Sequence, residues 1–236
     1  MSELTERSEK TTFGVLGTGT VGRAVAARLA ELGHPVTMGT RDPAATMARR
    51  EPDGLGNPPF SAWRDSHPSI ELGTFAQAAA HGEILVNATS GASSLEALKA
   101  AGEANLGAKV LLDLANPLDF SKGMPPSLFV CNTDSLGEQL QRAFPTLRVV
   151  KTLNTMNANL MVDPAQLADA DHTVFVAGND AAAKAAVTDV LQRFGWRDVL
   201  DLGDLSAARG TEMILPIWLR IWSATKSAKF QLKIVR

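Results

Sequence analysis

The stretch FGVLGTGTVGRAVAARLAELGHPVTMGTR, residues 13–41, decides the fold of this chain. An apolar run enters a glycine-rich turn, and an alanine-rich helical pattern and a second apolar run follow it. In such a strand–turn–helix, Gly17 permits the tight turn, Gly19 lets the backbone approach a pyrophosphate, and Gly22 lets the helix lie close to the strand. The context predicts dinucleotide binding, with a purely structural glycine turn as the alternative. The residues predicted to contact the dinucleotide are Gly17, Thr18, Gly19, Thr20, Val21 and Gly22.

The residues after the second apolar run select the dinucleotide. An NAD site usually carries Asp or Glu there, to accept hydrogen bonds from the ribose hydroxyls, whereas this chain has Thr40 and Arg41. A hydroxyl and a guanidinium suit a 2′-phosphate, which a carboxylate would repel, so NADP(H) is the predicted cofactor. The alternative makes Arg41 a solvated loop residue ahead of a helix that Asp42 caps. Arg49 and Arg50 could add positive field to this site, but as a pair on one helix face they are expected to be solvated.

The bulk composition describes a globular protein. Its 236 residues suit one large α/β domain, or a nucleotide domain with a small partner, and 45% apolar residues suffice for a core. The net charge of −2 gives no reason to expect nucleic acid or an acidic membrane as a partner. Cys131 is the only cysteine, so no internal disulfide can form, which fits a reducing compartment. Its apolar context, LFVC, predicts a buried side chain.

The two termini give no sign of a membrane segment. Residues 1–11 have no apolar stretch and are expected to form a disordered arm rather than a signal peptide. The apolar stretch over residues 213–222 contains Pro216 and Arg220 and is shorter than the roughly 20 residues that a membrane span needs. We therefore expect a cytoplasmic protein with no membrane partner.

Apolar and helical patterns alternate along the chain, which predicts a doubly wound parallel α/β sheet of the Rossmann type over residues 12–152. The helix over 94–101 is supported by a capping-box spacing, Ser93 to Glu96. The predicted strands cover residues 12–16, 35–38, 70–72, 84–87, 110–114 and 148–151. The predicted helices cover residues 22–32, 44–50, 75–81, 94–101 and 135–143.

A change in pattern after residue 152 predicts a small C-terminal α/β domain over residues 153–236. Strands are expected over 172–177 and 198–200, with a long helix between them that Asp180 caps and that ends near Phe194. One helix from about 206 to 223 follows. The alternating tail over 229–234 predicts a last, half-buried strand.

Three polar turns follow strands of the predicted sheet, where ligands of doubly wound folds bind. Short amides and hydroxyls there could bond the carboxamide and ribose of the nicotinamide half, although such residues also form ordinary turns. The turn residues predicted to contact the cofactor are Ala88, Thr89, Ser90, Asn116 and Pro117. Those predicted to contact the substrate are Asn154, Met156 and Asn157.

The chemistry that the chain lacks narrows its function. It has no tyrosine, which excludes the Tyr-x-x-x-Lys pair of short-chain dehydrogenases, and no Cys/His cluster with zinc spacing, so no metal site is expected. The four histidines occupy positions typical of structural residues, and no catalytic side chain is predicted. Hydride transfer to another redox cofactor needs no such residue, because a flavin-like acceptor supplies its own electronics.

Several segments resemble the NADP-dependent oxidoreductases related to the coenzyme F420 reductases: GVLGTGTVGRAVAARLAELGH with GTR, NATSG, LLDLANPL, VVKTLNTMNANLM and the helix from Glu212 to Pro216. The resemblance covers nearly all of the chain from residue 12. It implies a Rossmann domain that binds NADP, and a small C-terminal domain that helps to close a cleft where a deazaflavin stacks on the nicotinamide. By this likeness residues 18–22 hold the pyrophosphate, Thr40 and Arg41 the 2′-phosphate, and Ala158 lies near the nicotinamide.

The chain departs from the deazaflavin reductases at Asn154-Thr155-Met156-Asn157, where they carry a His-Thr-Ile-Pro-type turn. The acceptor is therefore expected to be a deazaflavin or a flavin-like molecule. Two other functions stay open: an imine or carbonyl reductase in the manner of pyrroline-carboxylate reductases, and a non-enzymatic NADP sensor.

The C-terminal helix is apolar on nearly all sides, which predicts burial on more than one side and favours a homodimer contact. Trp218 or Trp222 could also form the floor of the acceptor site. The apolar residues are Ile214, Leu215, Ile217, Trp218, Leu219, Ile221 and Trp222.

Overall fold

The computed structural model describes residues 10–53 and 56–236, so the predicted N-terminal arm lies, except for its last two residues, outside the described part. The strands of the described residues are β1 (Phe13–Leu16), β2 (Val36–Thr40), β3 (Glu71–Thr74), β4 (Ile84–Asn87), β5 (Val110–Asp113), β6 (Leu118–Asp119), β7 (Ser127–Leu128), β8 (Arg148–Thr152), β9 (Thr173–Gly178) and β10 (Asp198–Asp201). Eight of them form one sheet in the order β10-β9-β8-β5-β4-β1-β2-β3, and β6 and β7 form a hairpin.

The sheet is mostly parallel, which confirms the predicted fold class. The exception is the antiparallel pair of β8 and β9, so β9 and β10 run opposite to the other six strands. These last two strands extend the main sheet across residue 152 rather than forming a sheet of their own. The domain boundary at that residue stays a prediction, and the hydrogen-bonded sheet continues through it.

Helices cover both faces of the sheet. Successive residues of β1, Val15 and Leu16, belong to hydrophobic clusters on opposite faces, as the alternation of side chains in a strand requires. The helices are α1 (Thr20–Glu31), α2 (Pro43–Ala48), α3 (Phe60–Asp65), α4 (Phe75–His81), α5 (Gly91–Ala101), α6 (Glu103–Leu106), α7 (Leu136–Ala143), α8 (Ala158–Val162), α9 (Ala181–Phe194), α10 (Ala208–Met213) and α11 (Leu215–Thr225).

Local capping explains where several helices begin. The predicted cap Asp42 accepts a hydrogen bond from the Ala45 amide at 2.9 Å, and Asp180 accepts one from the Ala183 amide at 2.6 Å. The capping box predicted at Ser93 is wrong, because α5 already begins at Gly91. At Gly91 an added Cβ would lie 2.1 Å from the Asn116 carbonyl oxygen, so only glycine lets the helix start so close to the β5 turn.

Two predictions for the C-terminal region are wrong. The single helix expected over 206–223 is divided at Ile214, between α10 and α11, because Pro216 has no N–H to continue the first helix. The tail over 229–234 is irregular rather than a strand. It bonds to Thr173 through the Leu232 carbonyl and the Ile234 amide, beyond the end of β8, whose pairing with β9 covers residues 176–178.

Some apolar side chains are exposed. Cys131 is exposed in the loop before α7, so the prediction of a buried thiol is wrong. On α11, Ile217 and Trp222 are 55% and 38% exposed, and the homodimer expected through this helix stays a prediction. Among the described helices, none is both long enough and apolar enough to cross a membrane.

Candidate cofactor and acceptor site

The site lies where the strand order reverses. Strands β2 and β4 flank β1 on its two sides, so the connections after β1 and β4 leave in opposite directions and a crevice opens at their carboxyl ends. Two clefts meet there and share part of the turn after β4. We call them the glycine cleft, about 790 Å³, and the hairpin cleft, about 810 Å³. The shared residues are Ala88, Thr89, Ser90 and Ala92.

The glycine turn leaves room for an anion at the start of α1. Gly17 has a φ of +116°, and an added Cβ there would lie 2.5 Å from the Ala88 carbonyl oxygen. A Cβ on Gly22 would lie 2.2 Å from the Gly17 carbonyl oxygen. Gly19, by contrast, faces open space within 4 Å, and as the N-cap of α1 it adds no side-chain bond to the first-turn amides. The backbone therefore fits a pyrophosphate, which helix N-termini bind through their N–H groups.

The far end of the glycine cleft carries positive charge. Arg41 follows β2, and Arg49, the exposed C-cap of α2, lines the same cleft. Within residues 10–53 and 56–236, neither guanidinium has a hydrogen-bond or ion-pair partner. The hydroxyls of Thr40 and Thr46 lie 3.0 Å apart beside them. Arg50 points elsewhere and donates to the Ser61 hydroxyl at 3.4 Å.

The segment before α3 fixes the other side of the glycine turn. The Asn57 side-chain amide donates to the Thr20 hydroxyl at 2.8 Å. Arg23 donates to the Thr18 carbonyl oxygen at 2.9 Å and to the Pro58 carbonyl oxygen at 2.6 Å. These bonds involve side chains and carbonyl oxygens and occupy none of the backbone amides of the turn, of which the Gly17 amide donates to the Gly39 carbonyl.

The hairpin cleft is mostly apolar. Val21 of the glycine motif lines it, together with the exposed rings of Phe120 and Phe129 from the β6–β7 hairpin. Asp119 is the titratable side chain among the lining residues, and its pKa is lowered mainly by a hydrogen bond from the Ser121 backbone amide. The hairpin residues, like Leu95 and Gln139 of the same wall, were not predicted from the sequence.

The predicted residues after β5 have different surroundings. Asn116 lines the hairpin cleft and exchanges two hydrogen bonds with Asn154. The Asn116 side-chain N–H2 donates to the Asn154 backbone carbonyl at 2.8 Å, and the Asn116 Oδ1 accepts from the Asn154 side-chain N–H2 at 3.0 Å. Pro117 is buried, and its carbonyl oxygen accepts a bond from the Phe129 amide at 3.0 Å, which closes the hairpin. Pro117 therefore shapes the cleft without lining it.

The turn after β8 lines neither cleft, although Asn154 is hydrogen-bonded to Asn116 of the hairpin cleft. Asn154 and Met156 are 2% and 7% exposed and line neither cleft. Asn157 caps α8 and donates to the Ala228 carbonyl. Ala158 lies with Thr20 on a small cavity of about 320 Å³ beside the glycine turn. Contact of the three predicted substrate residues with an acceptor stays a prediction, and their burial and capping roles do not favour it.

The two tryptophans of α11 also stand away from the hairpin cleft. Trp222 lines a separate cavity of about 460 Å³ with Met124 and Pro125 of the hairpin. Trp218 packs against Phe230 with a centroid distance of 5.0 Å. Neither indole lines the hairpin cleft, and contact of either with an acceptor stays a prediction.

A buried charged cluster, which the sequence analysis missed, lies behind the hairpin cleft. The Lys151 ammonium is 2.6 Å from the Asp113 carboxylate and 2.8 Å from the Glu212 carboxylate, and all three side chains are at most 1% exposed. Burial alone would lower the pKa of Lys151, but the two carboxylates outweigh it and hold that pKa above its usual value. The sequence signal for this cluster was a charged residue at the end of an apolar run in two strands, VLLD in β5 and RVVK in β8.

The buried cluster holds three walls of the hairpin cleft. Lys151 donates to the carbonyl oxygen of Ala115 at 2.7 Å, and Glu212 accepts from the amides of Leu136 and Gly137 at 2.8 and 3.1 Å. Asp113 accepts from the side-chain amide of Asn87 at 2.8 Å. The third wall is the turn after β4, because Asn87 in turn accepts a hydrogen bond from the hydroxyl of the cleft residue Thr89.

A Rossmann crevice with an open glycine turn and a basic far end is the arrangement of an NADP-dependent oxidoreductase. A family model described as "NADP oxidoreductase coenzyme F420-dependent" matches residues 12–117. A solved structure from Arthrobacter sp. FB24, described as that of a candidate F420-dependent NADP reductase, is 60% identical, with 96% of this chain and 100% of that chain covered and a TM-score of 0.92. The chain therefore belongs to this family of NADP oxidoreductases.

The chain is also similar to two more distant proteins. The rat protein Metalloreductase STEAP3 is 28% identical over 210 residues, which cover 87% of this chain and 37% of the rat protein. An imine reductase from Aspergillus terreus, solved with NADPH4, is 16% identical with a TM-score of 0.60 over 92% of this chain and 63% of that chain. At that identity the similarity concerns the fold alone.

Proposed function

We propose that this NADP-dependent oxidoreductase transfers a hydride between NADP(H) and a planar redox cofactor of the deazaflavin or flavin class. One observation carries the proposal: a basic cleft of about 790 Å³ and an apolar, ring-lined cleft meet at the Ala88–Ser90 turn. A dinucleotide in the first cleft would bring its nicotinamide to the mouth of the second. The description of the Arthrobacter protein supports the deazaflavin as the first choice of acceptor.

The cofactor would lie along the carboxyl ends of the strands. In this proposal the amides of the glycine turn bind the pyrophosphate, since Gly19 faces open space. Thr40 and Arg41 bind the 2′-phosphate, and Arg49 adds a second positive charge from the same cleft wall. Thr89 and Asn116 lie where the nicotinamide half would enter the hairpin cleft.

The chemistry of the hairpin cleft supports a ring acceptor. Phe120 and Phe129 are 57% and 43% exposed, and apolar rings beside an apolar cleft suit the face of a planar ligand. With its lowered pKa, Asp119 is ionised near neutral pH and cannot serve as a proton donor there. Hydride transfer would break the C4–H bond of the dihydronicotinamide and form a bond to the acceptor ring, which takes its proton from solvent. The protein would then need to align the two rings and exclude water.

The proposal is tested by anaerobic mixing of the protein with NADPH and oxidised coenzyme F420, with FMN in a parallel cuvette. We expect bleaching of the deazaflavin at a catalytic rate, and loss of that rate in Arg41→Glu. Reduction of FMN alone would place the acceptor in the flavin class. Binding of NADPH without turnover of either ring would overturn the proposal and leave the imine reductase and the NADP sensor to be tested.

A further inference from the structure

A chain of hydrogen bonds leads from the buried cluster to the hydroxyl of Thr89. Asp113 is ion-paired with Lys151 through Oδ2, and its Oδ1 lies 2.8 Å from the Asn87 Nδ2. A carboxylate only accepts hydrogen bonds, so the Asn87 side chain must turn its N–H2 group to Asp113. The same Nδ2 also donates to the Ser94 hydroxyl at 3.1 Å. The orientation of the Asn87 amide is therefore fixed by the charge of its neighbour.

The fixed amide in turn orients Thr89. With its nitrogen toward Asp113, Asn87 presents Oδ1 to Thr89, whose hydroxyl and backbone amide both donate to it, at 2.7 and 3.3 Å. The single hydroxyl proton of Thr89 is used in this bond. The Ser94 hydroxyl, 2.9 Å away, can occupy one of the two lone pairs of Thr89 at most. At least one lone pair of the half-buried Thr89 is left for the cleft.

We propose that Asp113 is a positioning residue that makes the Thr89 hydroxyl a hydrogen-bond acceptor for the nicotinamide half of NADP(H). The inference rests on the cofactor site proposed above. The group that Thr89 would recognise is a donor, which the nicotinamide half carries as the carboxamide N–H2 and as ribose hydroxyls. Lys151 and Glu212 hold Asp113 in place, because Glu212 is itself anchored by the two amides at the start of α7.

Replacing Asp113 by Asn reverses the chain of donors and acceptors. The new amide must turn its oxygen to the Lys151 ammonium, since its N–H2 group would be repelled there. Its nitrogen then faces Asn87, which has to flip and present its own N–H2 to Thr89. Thr89 becomes the acceptor in that bond, and its proton turns to the cleft unless Ser94, 2.9 Å away, accepts it. The Thr89 backbone amide loses its acceptor and faces the flipped N–H2 group, so two donors oppose each other at the cleft turn.

Electrostatics alone predicts the opposite result for this variant. Asp113→Asn removes one negative charge close to the cleft, which should strengthen the binding of an anionic dinucleotide. Weaker binding of NADPH to Asp113→Asn therefore supports orientation rather than charge as the role of Asp113.

The experiment is a double-mutant cycle on NADPH affinity, measured by calorimetry, with thermal melting to verify folding. Thr89→Val should raise Kd about fivefold, the usual effect of one lost neutral hydrogen bond, and Thr89→Ser should not change it. Asp113→Asn should raise Kd about twentyfold, and the double variant should return to the value of Thr89→Val. The proposal would be overturned if the increases in Kd of the two single variants multiplied in the double variant, or if Asp113→Asn bound NADPH more tightly than wild type.

Two further measurements test the role of Asn87 and identify the group of the ligand that Thr89 contacts. Asn87→Ala interrupts the chain of hydrogen bonds without touching the ion pair, so it tests the chain even if Asp113→Asn does not fold. Its effect on the Kd of NADPH should disappear in the Thr89→Val background. The 3-acetylpyridine analogue of NADP+ lacks the N–H2 donor of the carboxamide. If Thr89→Val weakens the binding of NADP+ and of the analogue equally, the donor that Thr89 contacts is a ribose hydroxyl. If Thr89→Val weakens the binding of NADP+ only, that donor is the carboxamide. Failure of wild type to bind NADPH at all would instead overturn the proposed cofactor site.

Discussion

Replacing Lys151 by Met tests whether the buried cluster holds β5, β8 and α10 together. The ammonium is within 2.8 Å of two carboxylates that are at most 1% exposed. Its removal leaves two like charges buried without a cation, and breaking a buried ion pair in this way costs about 3–5 kcal/mol. For a chain of this size about 4 kcal/mol corresponds to a fall in Tm of about 10 °C.

The assay is urea unfolding followed by circular dichroism, with Arg142→Met as the matched control. Arg142 pairs with Asp134 at the surface, with side chains 60% and 28% exposed, and such pairs contribute about 0–1 kcal/mol. A loss in Lys151→Met no larger than that of the control would refute the reasoning.

The effect of Lys151 has a defined pH window. In wild type the pKa of Lys151 is raised, so its contribution to stability is present below its unfolded pKa of about 10.5 and is lost as pH rises through the higher folded value. In Lys151→Met, the paired carboxyls can relieve their repulsion by binding a proton on folding. The destabilisation should therefore be smaller at pH 5 than at pH 8, and an equal loss at both values would contradict this explanation.

Three other predictions concern single residues. Gly19→Ala should leave the free energy of unfolding within about 0.5–1 kcal/mol of wild type, because a Cβ there meets nothing within 4 Å. The same substitution should weaken NADPH binding at least tenfold in calorimetry, because the added methyl group fills the pyrophosphate space. Unchanged affinity would place the pyrophosphate elsewhere. Arg41→Ala should lower the preference for NADPH over NADH by about tenfold to a hundredfold, as one charge-assisted contact contributes about 1.5–3 kcal/mol, and an unchanged ratio in steady-state kinetics would remove Arg41 from the 2′-phosphate site. The pKa of Asp134 is lowered to about 2, mainly by Arg142, so the pair stabilises the fold above about pH 4 and loses this effect as pH falls towards 2; an NMR titration of Arg142→Met should find that pKa near its ordinary value.

The cofactor half of the site could be predicted because its signals are local. The glycine spacing, the helix that follows and the Thr40-Arg41 pair all lie within residues 13–41, and the local geometry of a strand–turn–helix follows from them. The helix α4 and the strand β4 were likewise predicted with the bounds that the structure has. Hydrophobic periodicity and capping residues decide such elements over short distances.

The hairpin cleft and the buried cluster depend on contacts that no local pattern encodes. Asp113, Lys151 and Glu212 meet because β5 and β8 are neighbours in the sheet and α10 returns to the start of α7. The turn after β8 looked like a ligand turn, but the next strand, β9, runs antiparallel to β8 and draws Asn154 and Met156 into the core. Strand order and direction were needed to see either feature.

The most direct test of the central claim is the transfer of a label between the two rings. NADPH carrying deuterium at the transferred C4 position is oxidised by the protein under anaerobic conditions with coenzyme F420, and the reduced deazaflavin is analysed by mass spectrometry. Direct transfer across the junction of the two clefts predicts one deuterium retained on the ring carbon of each reduced deazaflavin, with a primary isotope effect on the rate of that step. Reduced deazaflavin without the label, or oxidation of NADPH with no reduced deazaflavin, would contradict the account.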